Sequence, residues 1–177
     1  MKKRRLRIGI LGSGLMGGKL GTLFARAGHE VVFSYARSER KLERLARRAR
    51  GRARAGTPAE AARNADALLL AVHWSRVDDV LSQAGDLSGQ IVVSCSMPMN
   101  ADDTGLVIGH TSSGAEQLAK KLQRAPVVAA FGTVPSEVLA SVFAAGESAS
   151  WKSASIASRP PSPRTAARSA PPTACAT

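Results

Sequence analysis

The residues Gly12-Ser13-Gly14-Leu15-Met16-Gly17 set three glycines at GxGxxG spacing, and the chemistry open to such a turn is the capture of a phosphorylated ligand. Alone the spacing is a weak signal. Its setting strengthens it: Leu6, Ile8, Ile10 and Leu11 form a β-like run ending at Gly12. From Leu15 onward Leu15, Met16, Leu20, Leu23, Phe24 and Ala27 recur at helical spacing up to Gly28. In a strand, turn and helix of this kind, Gly12 permits the tight turn, Gly14 lets a pyrophosphate approach the backbone, and Gly17 lets the helix pack against the strand. The helix start offers N–H groups and a positive dipole end to phosphate oxygens. Gly12 through Gly17 are therefore expected to hold the phosphates of a dinucleotide.

The end of the second strand discriminates between dinucleotides. A ribose 2′-hydroxyl calls for Asp or Glu there, roughly twenty residues past the glycines. This chain has Ser34-Tyr35-Ala36-Arg37-Ser38-Glu39-Arg40-Lys41 instead. The hydroxyls of Ser34 and Ser38 and the guanidinium of Arg37 suit a 2′-phosphate, with Arg40 or Lys41 adding charge, and Tyr35 lies among them. Glu39 fits a helix-capping role. The expected cofactor is NADP(H) rather than NAD(H).

Ligands of open parallel sheets lie across the carboxyl ends of the strands. That rule selects Val72-His73-Trp74, then Ser94 to Met99 with Cys95, Met97 and Pro98, then Phe131-Gly132-Thr133. His73 is the candidate acid or base, or else a wall of the nicotinamide pocket. Trp74 offers an aromatic surface or ordinary packing. Cys95 has no basic partner nearby in sequence and reads as packing rather than nucleophile. His110 and Thr111 lead into a helix and meet a ligand or cap it. No hydrolytic constellation emerges. Hydride transfer demands less of the protein, which need only align donor and acceptor, since the cofactor carries the chemistry.

The elements that must position these residues alternate. After the first helix come a strand at Glu30 to Tyr35, a helix from Glu39 to Arg48 capped by Ser38, and a short strand at Ala53 to Ala55. Thr57-Pro58-Ala59-Glu60 opens the next helix. Ala67 to Val72 reads as a central parallel strand covered on both faces. A helix at Ser75 to Ala84 and a strand at Gln90 to Cys95 follow. Then come a helix at Thr111 to Gln123 capped by Thr111 or Ser112, a strand at Val127 to Phe131, and a short helix at Pro135 to Phe143. The predicted fold is α/β, a Rossmann-type doubly wound, mostly parallel sheet in three layers.

The 177 residues suffice for one core, read as a single domain over 1–147. From Ser148 the chain is mostly Ser, Ala, Pro and Thr with no acid, and 148–177 is expected to be a disordered tail. It is a natural low-complexity segment, the product of a reading-frame change, or an added sequence. Its Lys152, Arg159, Arg164 and Arg168 account for four of the +12 net charge, leaving +8 for 1–147. The basic run from Arg37 to Arg54 suits polyanions in general. Aromatic residues that would stack on bases are nearly absent from it, which disfavours a nucleic-acid partner. Cys95 and Cys175 are far apart and no metal-ligand spacing occurs, so no metal is expected. No apolar run approaches membrane-spanning length, and the basic start is broken by Arg7 and glycines, unlike a signal peptide. A cytoplasmic location is expected.

Gly9-Ile10-Leu11-Gly12-Ser13-Gly14-Leu15-Met16-Gly17, Ala27-Gly28-His29-Glu30-Val31-Val32-Phe33, Leu70-Ala71-Val72-His73-Trp74, Gly109 to Glu116 and Val128-Ala129-Ala130-Phe131-Gly132-Thr133 occur in that order. Together they resemble the NADPH-dependent coenzyme F420 reductases and related oxidoreductases, over about Leu6 to Leu139. The resemblance implies hydride transfer between NADPH and the deazaflavin F420. It puts phosphates on Gly12 to Gly17, the 2′-phosphate near Ser34, Arg37 and Ser38, the nicotinamide near His73 and Trp74, and the acceptor beside Met97-Pro98 and Phe131 to Thr133. It also allows a homodimer. His73 stands where the family usually has proline, and Gly132 where it has asparagine. The family's closing segment is replaced by the Ser/Ala/Pro tail.

Overall fold

Leu11 and Ile10 are wholly buried because they lie in the middle strand of a six-stranded parallel sheet. The computed structural model describes residues 4–139 and 141; the expected tail lies outside them. The chain runs β1 (Arg7–Leu11), α1 (Leu15–Arg26), β2 (Glu30–Ser34), α2 (Glu39–Ala49), β3 (Arg52–Ala55) and α3 (Pro58–Ala62). It continues through β4 (Ala67–Leu70), a 3₁₀ turn (Trp74–Arg76), α4 (Val77–Ala84), β5 (Ile91–Ser94), α5 (Gly114–Lys121) and β6 (Val127–Ala129). The sheet order is β3-β2-β1-β4-β5-β6. Ile8 pairs with Val31 of β2 on one side and Ala67 of β4 on the other.

Two apolar clusters sandwich this sheet. Leu20, Ala25, Leu42 and Ala49 of α1 and α2 pack with Ile8, Ile10, Val31, Phe33 and Leu69. On the opposite face, Ala61, Ala62, Val77, Val80 and Leu118 of α3, α4 and α5 pack with Leu11, Val32, Leu68, Leu70 and Val92. Each fully buried large side chain, such as Phe33 or Leu68, contributes roughly 1.5–3 kcal/mol. The Leu68-Leu69-Leu70 run is buried throughout because helices cover both faces. The chain leaves β1 toward β2 and later returns to β4 on its other flank, so a crevice opens at the carboxyl end of β1.

Several boundaries differ from the sequence reading. β4 stops at Leu70, paired with Leu11, because β1 ends there in the glycine turn; Ala71 and Val72 leave the strand. The expected helix at Ser75 begins as the 3₁₀ turn. α5 starts at Gly114 and is capped by Ser113, whose hydroxyl accepts from Glu116 N while Glu116 Oε2 accepts from Ser113 N. Thr111 and Ser112 therefore do not cap it. β6 ends at Ala129, leaving Phe131 in a loop with φ 62°. Residues 136–139 are helical, and the remainder of the expected last helix falls mainly outside the described residues.

Candidate functional site

The glycine turn occupies the crevice. Gly12 has φ +110°, and a Cβ there would lie 2.5 Å from the Ala71 carbonyl oxygen and 2.6 Å from Val72 Cγ1, so both its conformation and the closeness of the segment after β4 require glycine. The turn is pinned to β2: Gly12 N donates to Ser34 O at 3.2 Å and Ser13 N to Tyr35 O at 3.1 Å. The Ser13 hydroxyl donates to Ser34 O at 2.8 Å. A side chain on Gly17 would overlap the Gly12 carbonyl, so the helix can seat on the turn only through glycine.

Gly14 differs. Nothing lies within 4 Å of where its Cβ would be, and its φ is −76°. Neither packing nor backbone demands glycine there. The open space sits at the N-terminus of a 12-residue helix, whose first N–H groups, including those of Leu15, Met16 and Gly17, have no intrahelical acceptor. A phosphate fits this cradle in size and charge.

A cleft of ≈ 1270 Å³ runs from the cradle. It brings together Gly12, Ser13, Gly14, Leu15, Tyr35, Arg37, Lys41, Val72 and His73. Ser38 is exposed at the N-cap of α2, and its hydroxyl makes no capping bond. Arg40 is exposed but does not line the cleft. Glu39 lines the cleft and makes no hydrogen bond to Ser38.

Ser34 requires a correction. It is 0% exposed, and its hydroxyl donates to Ile10 O at 2.7 Å. That hydroxyl stitches β2 to β1 and is unavailable to a phosphate.

His73 lines the cleft with both ring nitrogens engaged. Ser75 N donates to His73 Nδ1 at 3.2 Å, and the Ser75 hydroxyl lies 2.8 Å from the same nitrogen. Nε2 lies 3.1 Å from both Asn100 O and Asp103 Oδ1. Both ring nitrogens thus have partners, one capping the 3₁₀ turn and the other tying down the loop after β5. Trp74 does not line the cleft. Its ring packs with Pro98 and the start of α5, as a Cβ on Gly114 would lie 3.1 Å from Pro98 Cδ and 3.2 Å from Trp74 Cζ3.

Cys95, Met97, Pro98, Phe131, Gly132 and Thr133 fall outside the cleft as well. The ends of β5 and β6 nevertheless converge: a Cβ on Gly132 would lie 3.5 Å from Met97 Cγ and 3.7 Å from Cys95 O. Cys95 packs against the α1–α2 cluster, and burial pushes its thiol up to about 11. It is not a nucleophile at neutral pH.

The cleft has further residues that sequence reasoning did not select as ligand-facing. The Tyr35 hydroxyl donates to Asp79 Oδ2 of α4, just behind the lining, while Arg76 and Gln83 line this wall. Thr57 and Glu60 form a capping box beneath it, and the backbone N–H of Thr57, first, holds Glu60 below the usual carboxylate range. The Tyr35 partner, 44 residues away, left no local signal. Thr57 was legible as a helix start but not as cleft lining. Among the described residues no group of His, Cys, Asp and Glu could hold a metal, and no helix is long and apolar enough to cross a membrane.

The structure is similar to a protein from Arthrobacter sp. FB24 assigned as an F420-dependent NADP reductase, with 23% identity, TM-score 0.65, and 75% of this chain and 65% of that one covered. A hypothetical protein from Sinorhizobium meliloti shares 27% identity over 76% of this chain and 65% of its own, with TM-score 0.67. A reductive aminase from Aspergillus terreus, solved with NADPH and ethyl levulinate, has 19% identity, TM-score 0.52, and coverage of 71% and 40%. The chain thus spans 65% of the length of the first two. Comparison with curated proteins found no match. The model of the family described as NADP oxidoreductase, coenzyme F420-dependent, matches residues 7–98, just over half of the chain. With the glycine turn, both strands that flank it and the β4 end inside that match, the chain belongs to this family of NADP-dependent oxidoreductases.

Proposed function

We propose that the protein binds NADP(H) and transfers a hydride between it and coenzyme F420 or a similar small acceptor. The observation that carries this reading is Gly14, a glycine that packing does not require, opening a cradle at the start of α1. The N–H groups of Leu15, Met16 and Gly17 would hold the pyrophosphate there. Beyond it the rim of the cleft carries Arg37 and Lys41, with the uncommitted hydroxyl of Ser38 at the start of α2. No acid stands at the end of β2 to select a 2′-hydroxyl. A bound nicotinamide supplies the hydride; the chain supplies the phosphate grip and the fixed walls that orient it.

The acceptor side would be formed by the converging loops at Met97-Pro98 and Phe131 to Thr133. Those residues do not line the cleft, which favours a second reading, an NADP(H)-binding module without chemistry of its own. NADPH oxidation followed at its absorbance band, with and without F420, separates the two. F420-dependent turnover supports the oxidoreductase; tight NADPH binding without turnover supports the module.

A further inference from the structure

We propose that Asp79 is a positioning residue for the adenosine-phosphate half of the dinucleotide, acting through a Tyr35–Asp79 clasp behind the cleft wall. This rests on the dinucleotide reading above. Tyr35 directly follows β2 and Asp79 lies on α4, which follows β4, so their bond links the elements on the two flanks of β1. Tyr35 is tied at both ends. Its carbonyl accepts Ser13 N of the glycine turn, and its hydroxyl donates to Asp79 Oδ2. Between these anchors the ring packs against the cluster under α3 and α4 and lines the cleft.

The backbone is held against its preference. Tyr35 has φ +55°, a left-handed conformation that disfavours a non-glycine residue. The anchors offset that cost and aim a flat aromatic surface into the cleft beside Arg37. Asp79 is in turn fixed by Gln83 Nε2 at 3.0 Å on its other oxygen. Burial and then the Asp79 bond raise the Tyr35 hydroxyl above its ordinary value, while the Tyr35 bond, first, lowers Asp79; the charge of Arg76 also lowers both.

Tyr35 is the sole tyrosine of the chain, so its ultraviolet titration reads the clasp directly. In the full chain, Asp79→Ala should lower the tyrosine titration midpoint. Asp79→Ala and Tyr35→Phe should each weaken 2′,5′-ADP about tenfold, the size of a lost charge-assisted hydrogen bond. The double variant should lose no more than either alone. Asp79→Asn keeps an acceptor for the hydroxyl and should stay within about threefold of the wild type. Thermal melting identifies any variant that fails to fold, in which case the other carries the comparison. An Asp79→Ala protein that folds with unchanged 2′,5′-ADP affinity, or an unmoved tyrosine midpoint, overturns the clasp. A wild type that binds neither 2′,5′-ADP nor NADPH overturns the dinucleotide reading and the role of the clasp with it; an ordinary wild-type tyrosine midpoint with intact ligand binding overturns the clasp alone.

Discussion

Gly17 lies so close to Gly12 that any side chain on it would overlap the Gly12 carbonyl oxygen, whereas Gly14, between them, faces open space. The two positions should therefore separate fold from function. Gly17→Ala should destabilise the protein by about 1–3 kcal/mol or more through overpacking against rigid backbone. Gly14→Ala should cost less than about 1 kcal/mol yet weaken NADPH binding at least about tenfold. Chemical denaturation beside calorimetric titration measures both, and equal losses of stability at the two sites would contradict the assignment.

His73 holds the loop after β5 through Asn100 O and Asp103. Removing it should loosen that loop rather than remove a proton donor. For His73→Ala we expect faster hydrogen exchange over residues 97–106 and less than about a tenfold loss of turnover. A general acid or base would contribute on the order of 10²–10⁴-fold, so a loss of that size with the loop still protected would restore the catalytic role.

Arg37 and Ser34, both assigned to the 2′-phosphate by sequence, now part company. Arg37 lines the cleft, and Arg37→Ala should weaken NADPH by roughly 10- to 100-fold while sparing NADH. Ser34 is buried on Ile10 O. Ser34→Ala should leave the NADPH to NADH ratio unchanged and lower stability by about 1 kcal/mol. A shifted ratio in Ser34→Ala would show the hydroxyl reaching the ligand.

Cys95 gives a pH dependence. Its folded value is raised by burial from 9.0 to about 11, so the fold favours the neutral thiol. That contribution is fully present below 9.0 and is lost as pH rises through about 11. Denaturation midpoints across this alkaline window should fall more steeply in the wild type than in Cys95→Ala. Parallel profiles would mean that Cys95 is more solvated than its packing indicates.

The legible parts were those encoded locally. The strand before Gly12, the helix after Gly14 and the unbroken Ala67-to-Val72 run, two residues longer than β4 itself, each carry their own period and punctuation, so the parallel sheet and the crevice followed from them. Ser113 and Glu116 also hold a local signature, S-x-x-E, that marks the true start of α5 over Thr111 and Ser112. Direction and distance were not legible. Whether Ser34 faces a ligand or Ile10 depends on how β2 registers against β1, and His73 finds Asn100 and Asp103 only because the loop after β5 folds back, 27 and 30 residues away. The Tyr35–Asp79 link is longer-range still.

In the proposed function the cradle at Gly14 and the basic rim at Arg37 select a 2′-phosphorylated dinucleotide. Parallel calorimetric titration of the full chain with NADPH and NADH tests it most directly. NADPH should bind at least about tenfold tighter than NADH, with the difference abolished in Arg37→Ala. Equal affinity for the two, or binding of neither, would contradict it.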